Sequence, residues 1–392
     1  MTFEIVQIVQ ELSTVGGVET VAFELARAFS RAKIPNTVLA SAVDGPVTSG
    51  TTIERIAPWL SRIPTRGLLR HLGRLFVVPI FTVLATRAIF RHPNAVVLSH
   101  GDSLKGDVLV VHAVNAQSLA EKRNANIWWW LFNPMHLWIG LRERWMIGGL
   151  RYRMFVAVSP RVSTELQSLY SVPLSRIRVI PNGIDIGRFR LDPDARLTIR
   201  REFGIPADAR LLLFAGHEFR RKGLAHAIGA LERLGSDVWM LVVGSDNPAP
   251  YRKLATTAGN RLVFAGARSD MPALYAAADA FVLPTAYETF SLVCMEAMAC
   301  SVPVFATPVG GIEDYLVDGV NGYQIATDPD DIAGKIGRAF SDAALMQRMR
   351  DGARATALNY GWDHVGSQYI DLLKQVQATK PNPVATTVAA GS

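Results

Sequence analysis

Residues 281–315, FVLPTAYETFSLVCMEAMACSVPVFATPVGGIEDY, constrain the chain more than any other stretch. The apolar run 281–283 reads as the end of a buried strand, and Pro284, Thr285 and Ala286 break it. From Ser291 onward Leu292, Met295, Ala299 and Cys300 recur at helical spacing. After Pro303 comes a second apolar strand, then a loop containing Gly310 and Gly311, then the acidic pair Glu313 and Asp314. Strands alternate with helices in this way through both halves of the chain, which predicts an α/β architecture.

Two carboxylates bracket the turn between strand and helix. Glu288 lies in the turn, and Glu296 lies about two helical turns further on. Amides around Phe290, Ser291 and Leu292 open the helix, carry partial positive charge and suit a phosphate. A carboxylate in the turn can hold sugar hydroxyls beside that phosphate. A second one down the helix can take the paired hydroxyls of a ribose, because both of its oxygens accept. The stretch therefore suits a nucleoside diphosphate sugar.

At 392 residues the chain is long enough for two domains, and 49% hydrophobic content supports a substantial core. Its net charge of +7 favours polyanionic partners, either nucleic acid or an anionic membrane face. No helix-turn-helix, zinc-finger or RNP pattern accompanies the charge, so nucleic acid is not the expected partner. The two cysteines, Cys294 and Cys300, have neither metal nor redox spacing and fit a reducing, cytoplasmic compartment. The N-terminus lacks the basic and apolar regions of a secretory signal, and no apolar run looks long enough to span a bilayer.

In chain order, a strand at 3–9 runs to Gly16 and Gly17 and then a helix at 20–31. Such a turn lets backbone approach a phosphate or sugar, or is simply tight. A second strand is expected at 37–42. Residues 62–91 hold Arg62, Arg66, Arg70, Arg74, Arg87 and Arg91 with no acid, around an apolar run at 75–84 interrupted by Pro79. This is either a basic helix lying in a membrane interface or a core helix with a solvated basic edge. Strands at 95–98 and 108–111 end near His100 and His112, and strand ends in a parallel sheet face the ligand crevice. Residues 115–145 interleave Trp128, Trp129, Trp130, Trp138 and Trp145 with Lys122, Arg123, Arg142 and Arg144. Lipid head groups, a saccharide-stacking surface and core packing all suit that composition.

In the second half, a strand at 211–216 ends in Gly216 and is followed by His217, Arg220, Arg221 and Lys222. A cationic cluster after a strand-end glycine provides the paired charge that a pyrophosphate needs. Arg268 follows another strand, where it either stacks on a base or sits at the start of a helix. Residues 380–392 are rich in Pro, Ala and Thr and read as disordered.

Taken together, these motifs resemble the retaining glycosyltransferases of the GT-B fold, in particular glycosyltransferase family 4. The resemblance rests on the E-x7-E spacing of Glu288 and Glu296, G-G-x-x-[DE] from Gly310 to Asp314, G-G-x-E from Gly16 to Glu19, and P-N-G-I-D from Pro181 to Asp185. The run from Gly216 to Gly223 is similar to that of lipopolysaccharide-core glucosyltransferases.

The family implies two doubly wound, Rossmann-like domains facing a central cleft. Residues 1–185 would bind the acceptor and 186–378 the nucleotide sugar, with the helix around Trp362 crossing back and 379–392 forming a tail. It implies a catalytic role for Glu288 at the donor sugar, for Lys222 and Arg221 at the diphosphate, and for His112 near the transferred sugar. The donor-binding set implied is Gly16, Gly17, Gly216, His217, Arg220 and Arg268, with Phe290, Ser291, Leu292 and Glu296. His217 stands where the family usually has Arg, and Arg220 or Arg221 is expected to replace that cation.

The implied reaction is retaining hexosyl transfer to a glycan or lipid-linked hydroxyl, in polysaccharide or lipopolysaccharide assembly. The donor is expected to be a UDP-sugar. No D-x-D metal signature falls in a plausible place, so neither metal nor cofactor is expected. An anionic membrane surface at the inner face of the cell membrane is a further expected partner. The alternative is a non-catalytic nucleotide-sugar-binding or membrane-surface protein.

Overall fold

The computed structural model describes residues 3–14, 16–47, 49–63, 70–117, 119 and 134–380. Its chain divides into two units, Met1–Asn182 with Trp362–Ser392, and Gly183–Gly361. The boundary thus falls at 182/183 rather than at 185. Ile184 explains the difference: it bridges to Gly361, and its amide donates to the Tyr360 carbonyl at 2.8 Å. The helix Trp362–Ala378 counts with the first unit, where Arg31 pairs with Asp363 at 3.0 Å.

In the first unit the described strands are β1 (Ile5–Ile8), β2 (Glu11–Ser13), β3 (Asn36–Ala40), β4 (Ala42–Asp44), β5 (Thr51–Arg55), β6 (Val96–Ser99), β7 (Val108–Val111), β8 (Met154–Ala157) and β9 (Ile177–Val179). Seven of them pair in parallel in the order β5-β3-β1-β6-β7-β8-β9, and β2 pairs with β4. Alternate residues of β3 serve different cores. Leu39 packs with Val77, Phe81 and Ala85 of the helix Arg70–Ala88. Val38 and Ala40 pack with Ala22, Phe23 and Ala26 of the helix Gly17–Arg31. Because side chains alternate along a strand, these helices cover opposite faces of the sheet, and both faces are buried.

One expectation is corrected here. The apolar run 75–84 belongs to a continuous helix, Gly73–Arg91, that is long and apolar enough to cross a membrane by length and composition. Pro79 sits inside the helix without ending it. About a third of the helix is buried, through the core contacts of Val77, Phe81 and Ala85.

The second unit holds β10 (Arg210–Ala215), β11 (Val238–Val243), β12 (Leu262–Gly266), β13 (Ala280–Leu283), β14 (Val304–Ala306) and β15 (Gly322–Gln324). They pair in parallel in the order β12-β11-β10-β13-β14-β15. The order reverses at β10 and β13, so a crevice opens beyond the carboxyl ends of those two strands. Gly216 follows β10 and Pro284 follows β13, which brings the two motif-bearing loops together.

Three other expectations meet this structure. Cys294 and Cys300 are free and buried. Thr379 and Lys380 are anchored, against the expected tail: Arg153 donates to the Thr379 carbonyl, and Lys380 Nζ bonds Asp107 at 3.0 Å. Residues 381–392, Arg66, Lys122, Arg123, Trp128, Trp129 and Trp130 lie outside the described residues.

Candidate active site

At the end of β10 the loop from Gly216 turns Lys222 back over the strand. A Cβ at Gly216 would stand 3.2 Å from Lys222 Cγ, so glycine lets the lysine stem pass. Lys222 is buried and places Nζ 2.5 Å from Glu288 Oε1. The Thr285 hydroxyl donates to the same oxygen at 3.0 Å. Arg221 Nη1 lies 3.6 Å from it while donating to the Tyr287 carbonyl at 2.7 Å, and Arg221 Nε bonds Glu218 at 2.8 Å. Glu288 thus gathers one ammonium, one guanidinium and one hydroxyl. Gly310 fixes its backbone from beneath: φ is +62°, and a Cβ there would collide with the Glu288 carbonyl.

The next helix, Leu292–Ala299, begins at Ser291, whose φ of 62° and ψ of 78° are left-handed. A non-glycine residue in that region costs about 1–3 kcal/mol and persists where its surroundings hold it. Here Tyr315 donates to the Phe290 carbonyl at 2.9 Å, and Ser291 Oγ donates to Cys294 Sγ at 3.2 Å. The amides of Phe290, Ser291 and Leu292 have no protein acceptor among the described residues. Free amides at a helix start, next to Lys222 and Arg221, form a setting for an anion.

Glu296 sits one turn into that helix. Burial pushes its carboxyl up to about 7, with Tyr275 and Arg188 pulling the other way. Tyr275 donates to Oε2 at 2.8 Å, while Oε1 takes no protein donor among the described residues. A carboxylate with one oxygen held and one open can accept hydroxyls from a ligand.

Other expected residues are placed less centrally. His217 is exposed and shares a 2.9 Å hydrogen bond with Ser245, and Arg220 is exposed. Arg268 is engaged on Glu202 at 2.7 Å and Asp270 at 2.6 Å, which fits the start-of-helix alternative.

In the first unit Gly16, with φ +111°, caps the helix Gly17–Arg31. A row of polar side chains crosses the adjacent strands β1, β6 and β7. His112 Nε2 lies 3.2 Å from His100 Nδ1, and His100 Nε2 lies 3.3 Å from Gln7 Oε1. Burial holds His112 down to about 4 and His100 well below the usual imidazole range, with His112 adding to the effect on His100, so both rings are neutral at pH 7. Both line a cavity of about 290 Å³ together with Asn115, Ile139, Arg142 and Glu143. Asn115 Nδ2 and Arg142 Nε are buried there without a hydrogen-bond partner among the described residues. The cavity offers donors, acceptors and an apolar wall, a mixture suited to a hydroxyl-rich ring.

Gln7, Thr285, Tyr275 and the Asn115–Arg142–Glu143 group escape a reading of sequence alone. Gln7 and Tyr275 sit inside apolar runs, and Arg142 and Glu143 are masked by the surrounding tryptophans and arginines.

Two parallel, doubly wound sheets, the second with a crevice at its switch point, are those of the GT-B fold. Two family models, Glycosyltransferase Family 4 over residues 15–188 and Glycosyl transferases group 1 over residues 195–356, match consecutive parts of the chain. The chain belongs to the family 4 glycosyltransferases of the GT-B fold. A D-inositol 3-phosphate glycosyltransferase of Xylanimonas cellulosilytica is 36% identical over 242 residues, 58% of this chain and 58% of that protein. The chain thus spans little more than half of that curated relative. Among solved structures, WaaG, a glycosyltransferase involved in lipopolysaccharide biosynthesis, superposes with a TM-score of 0.76 at 21% identity, covering 94% of this chain and 99% of the other. HepE of Anabaena, solved with UDP-glucose, superposes with a TM-score of 0.71 at 20% identity, covering 95% and 99%.

Proposed function

We propose that this protein transfers a hexose from a nucleoside diphosphate sugar to a hydroxyl of a glycan or glycolipid, with retention and without a metal. The observation that carries the reading is the convergence of Lys222, Arg221 and the free amides of residues 290–292 on one space beside Glu288. As the sugar–phosphate bond breaks, charge grows on the departing diphosphate. Preorganised cations and amides meet that charge without reorganising. Glu288 holds the donor sugar, and Glu296 takes the ribose hydroxyls through Oε1. The departing diphosphate helps take the acceptor proton. UDP is the expected nucleotide, in keeping with the UDP-glucose bound to HepE. Assembly of lipopolysaccharide or a related polysaccharide is the expected setting, in keeping with WaaG.

Thermal shift with a panel of nucleoside diphosphates and their sugars tests the donor site, since a ligand of the native state raises apparent stability by mass action. One nucleotide should raise Tm in the wild type and not in Glu296→Ala. No shift with any nucleotide removes the reading.

A peripheral position on the inner face of the cell membrane belongs to the same proposal. Phe76, Val83 and Phe90 recur every seven residues along Gly73–Arg91 and are exposed, beside Arg87 and Arg91. Leu137 and Leu141, on the helix Pro134–Glu143 in contact with the first, and Trp145 just beyond it form a second exposed series. Apolar stripes edged by arginine suit an interface of anionic head groups. Sedimentation with anionic vesicles should carry the protein down at low salt, and Phe76→Ser with Phe90→Ser should release it. A protein that stays in solution with those vesicles ends this part of the proposal.

A further inference from the structure

The second unit has another cavity, at the opposite end of its sheet from the Lys222 loop. It holds about 320 Å³ and is lined by Arg210, Asp279, Phe340, Ala343, Gln347 and Arg350, among others. Arg210 opens β10 and Asp279 immediately precedes β13, so both stand at the amino ends of strands whose carboxyl ends carry the donor loops. A six-residue strand separates its two ends by about 20 Å.

The cavity has an excess of positive charge. Asp279 is its lining carboxylate, and its charge is shared three ways. Oδ1 accepts from Arg196 at 2.8 Å and Arg350 at 3.1 Å, while Oδ2 accepts from Arg200 at 2.7 Å and the Leu211 amide at 2.8 Å. Arg210 adds a fourth guanidinium, and its nearest carboxylate is Asp237, 3.6 Å away. Of the lining side chains, Arg210 and Arg350 are cationic and Asp279 is the carboxylate, so the wall carries one positive charge in excess.

The four guanidiniums are not equivalent. Arg200 is spent on the carbonyls of Ala277, Pro206, Ala207 and Ala209 as well as on Asp279. Arg196 is spent on the carbonyls of Ala277 and Ala278 and on Asp279. These two hold the fold. Among the described residues the Arg350 guanidinium makes one hydrogen bond, and that of Arg210 makes none and lies over the Phe340 ring at 5.4 Å. Each guanidinium has five donors, so most of theirs are open, and both side chains face the same cavity. Unspent planar guanidiniums around a hollow match the oxygens of a phosphate.

We propose that this cavity is a second anion site, which binds a small phosphomonoester or inorganic phosphate between Arg210 and Arg350, separate from the Lys222 site.

Calorimetric titration of inorganic phosphate into the full chain tests it, with sodium chloride at matched ionic strength as control. The wild type should bind, and Arg210→Gln with Arg350→Gln should bind about tenfold more weakly or worse, the loss that goes with removing charged hydrogen bonds. Lys222→Gln weakens only phosphate held at the donor site and should keep the binding that Arg210→Gln with Arg350→Gln loses. Gln347→Glu keeps both arginines and places a carboxylate in the exposed cavity wall. It should abolish binding too, and it serves if the double arginine variant does not fold. The proposal is overturned if the wild type binds no phosphate, if the arginine and Gln347→Glu variants bind as the wild type does, or if Lys222→Gln alone removes binding.

Discussion

Lys222 Nζ lies 2.5 Å from Glu288 Oε1, and each side chain is only 10% exposed. The two charges neutralise one another in a nearly dry setting, so removing one strands the other. The consequences are unequal. Without Lys222, Glu288 keeps the Thr285 hydroxyl at 3.0 Å and Arg221 at 3.6 Å. Without Glu288, Lys222 keeps no carboxylate among the described residues. Breaking a buried pair costs about 3–5 kcal/mol. Glu288→Ala should therefore lose about 3 kcal/mol in urea unfolding, and Lys222→Ala clearly less. Equal losses would contradict this account of the pair.

Glu296 ties donor binding to pH. Its carboxyl is raised to about 7 in the fold, against 4.5 ordinarily. The folded state then binds a proton that the unfolded state has released, so stability falls as pH rises from about 4.5 to 7. Allowing for its part-exposed side chain, that loss is about 2 kcal/mol. Glu296→Gln should be more stable than wild type at pH 8 and differ little at pH 4. Ribose hydroxyls favour the ionised form, so affinity for a nucleoside diphosphate sugar should rise about tenfold per pH unit up to 7 and then level. Fluorescence or calorimetric titration between pH 5 and 8 checks this. A pH profile shared by wild type and Glu296→Gln would exclude Glu296 as the titrating group.

Much of the second unit was legible in the sequence, because its signals are local. Each motif there is a strand end followed by a loop, and strand ends at the β10/β13 switch point are where ligands bind. Glu288, Glu296 and Lys222 could be picked out without knowing what they touch. Their partners could not. Tyr275 reaches Glu296 from another helix, 21 residues away, and Thr285 reads as a breaker rather than as a donor to Glu288. In the first unit, Gln7, His100 and His112 meet only because β1, β6 and β7 are neighbours in the sheet. The helix around Pro79 was misjudged because proline interrupts an apolar run in sequence without interrupting the helix in space.

The two imidazoles of the first unit should make the protein sensitive to acid. Both are held neutral by burial, His112 down to about 4. As pH falls below 6.5 the unfolded chain takes up protons that these rings refuse, so stability present at neutral pH is lost between 6.5 and 4. Allowing for the part-exposed ring of His112, its share is about 2 kcal/mol. Urea midpoints of the wild type should therefore fall towards those of His112→Gln over that range. Gln7→Leu removes the acceptor for His100 and should change the imidazole nitrogen shifts of both rings, because Gln7 sets which nitrogen of each carries the proton. Parallel pH profiles for wild type and His112→Gln would show that the ring titrates normally.

Gly310 offers a way to move Glu288 without changing its chemistry. Its φ of +62° is one that L side chains rarely adopt, and an added Cβ would run into the Glu288 carbonyl. Gly319 is the control, because its φ is +71° and a Cβ there would meet nothing nearer than the Tyr323 hydroxyl at 3.7 Å. Both alanine substitutions carry the backbone penalty of about 1–2 kcal/mol, and only Gly310→Ala adds the collision. Gly310→Ala should thus be the less stable of the two and should lower transfer or hydrolysis of a sugar nucleotide. It should leave nucleoside diphosphate affinity nearly intact, because Glu296 lies on the neighbouring helix Leu292–Ala299. Loss of turnover with nucleotide binding retained in Gly310→Ala, and neither change in Gly319→Ala, assigns the backbone of Glu288 to the chemistry rather than to nucleotide capture. Equal behaviour of the two variants would reduce Gly310 to an ordinary turn residue.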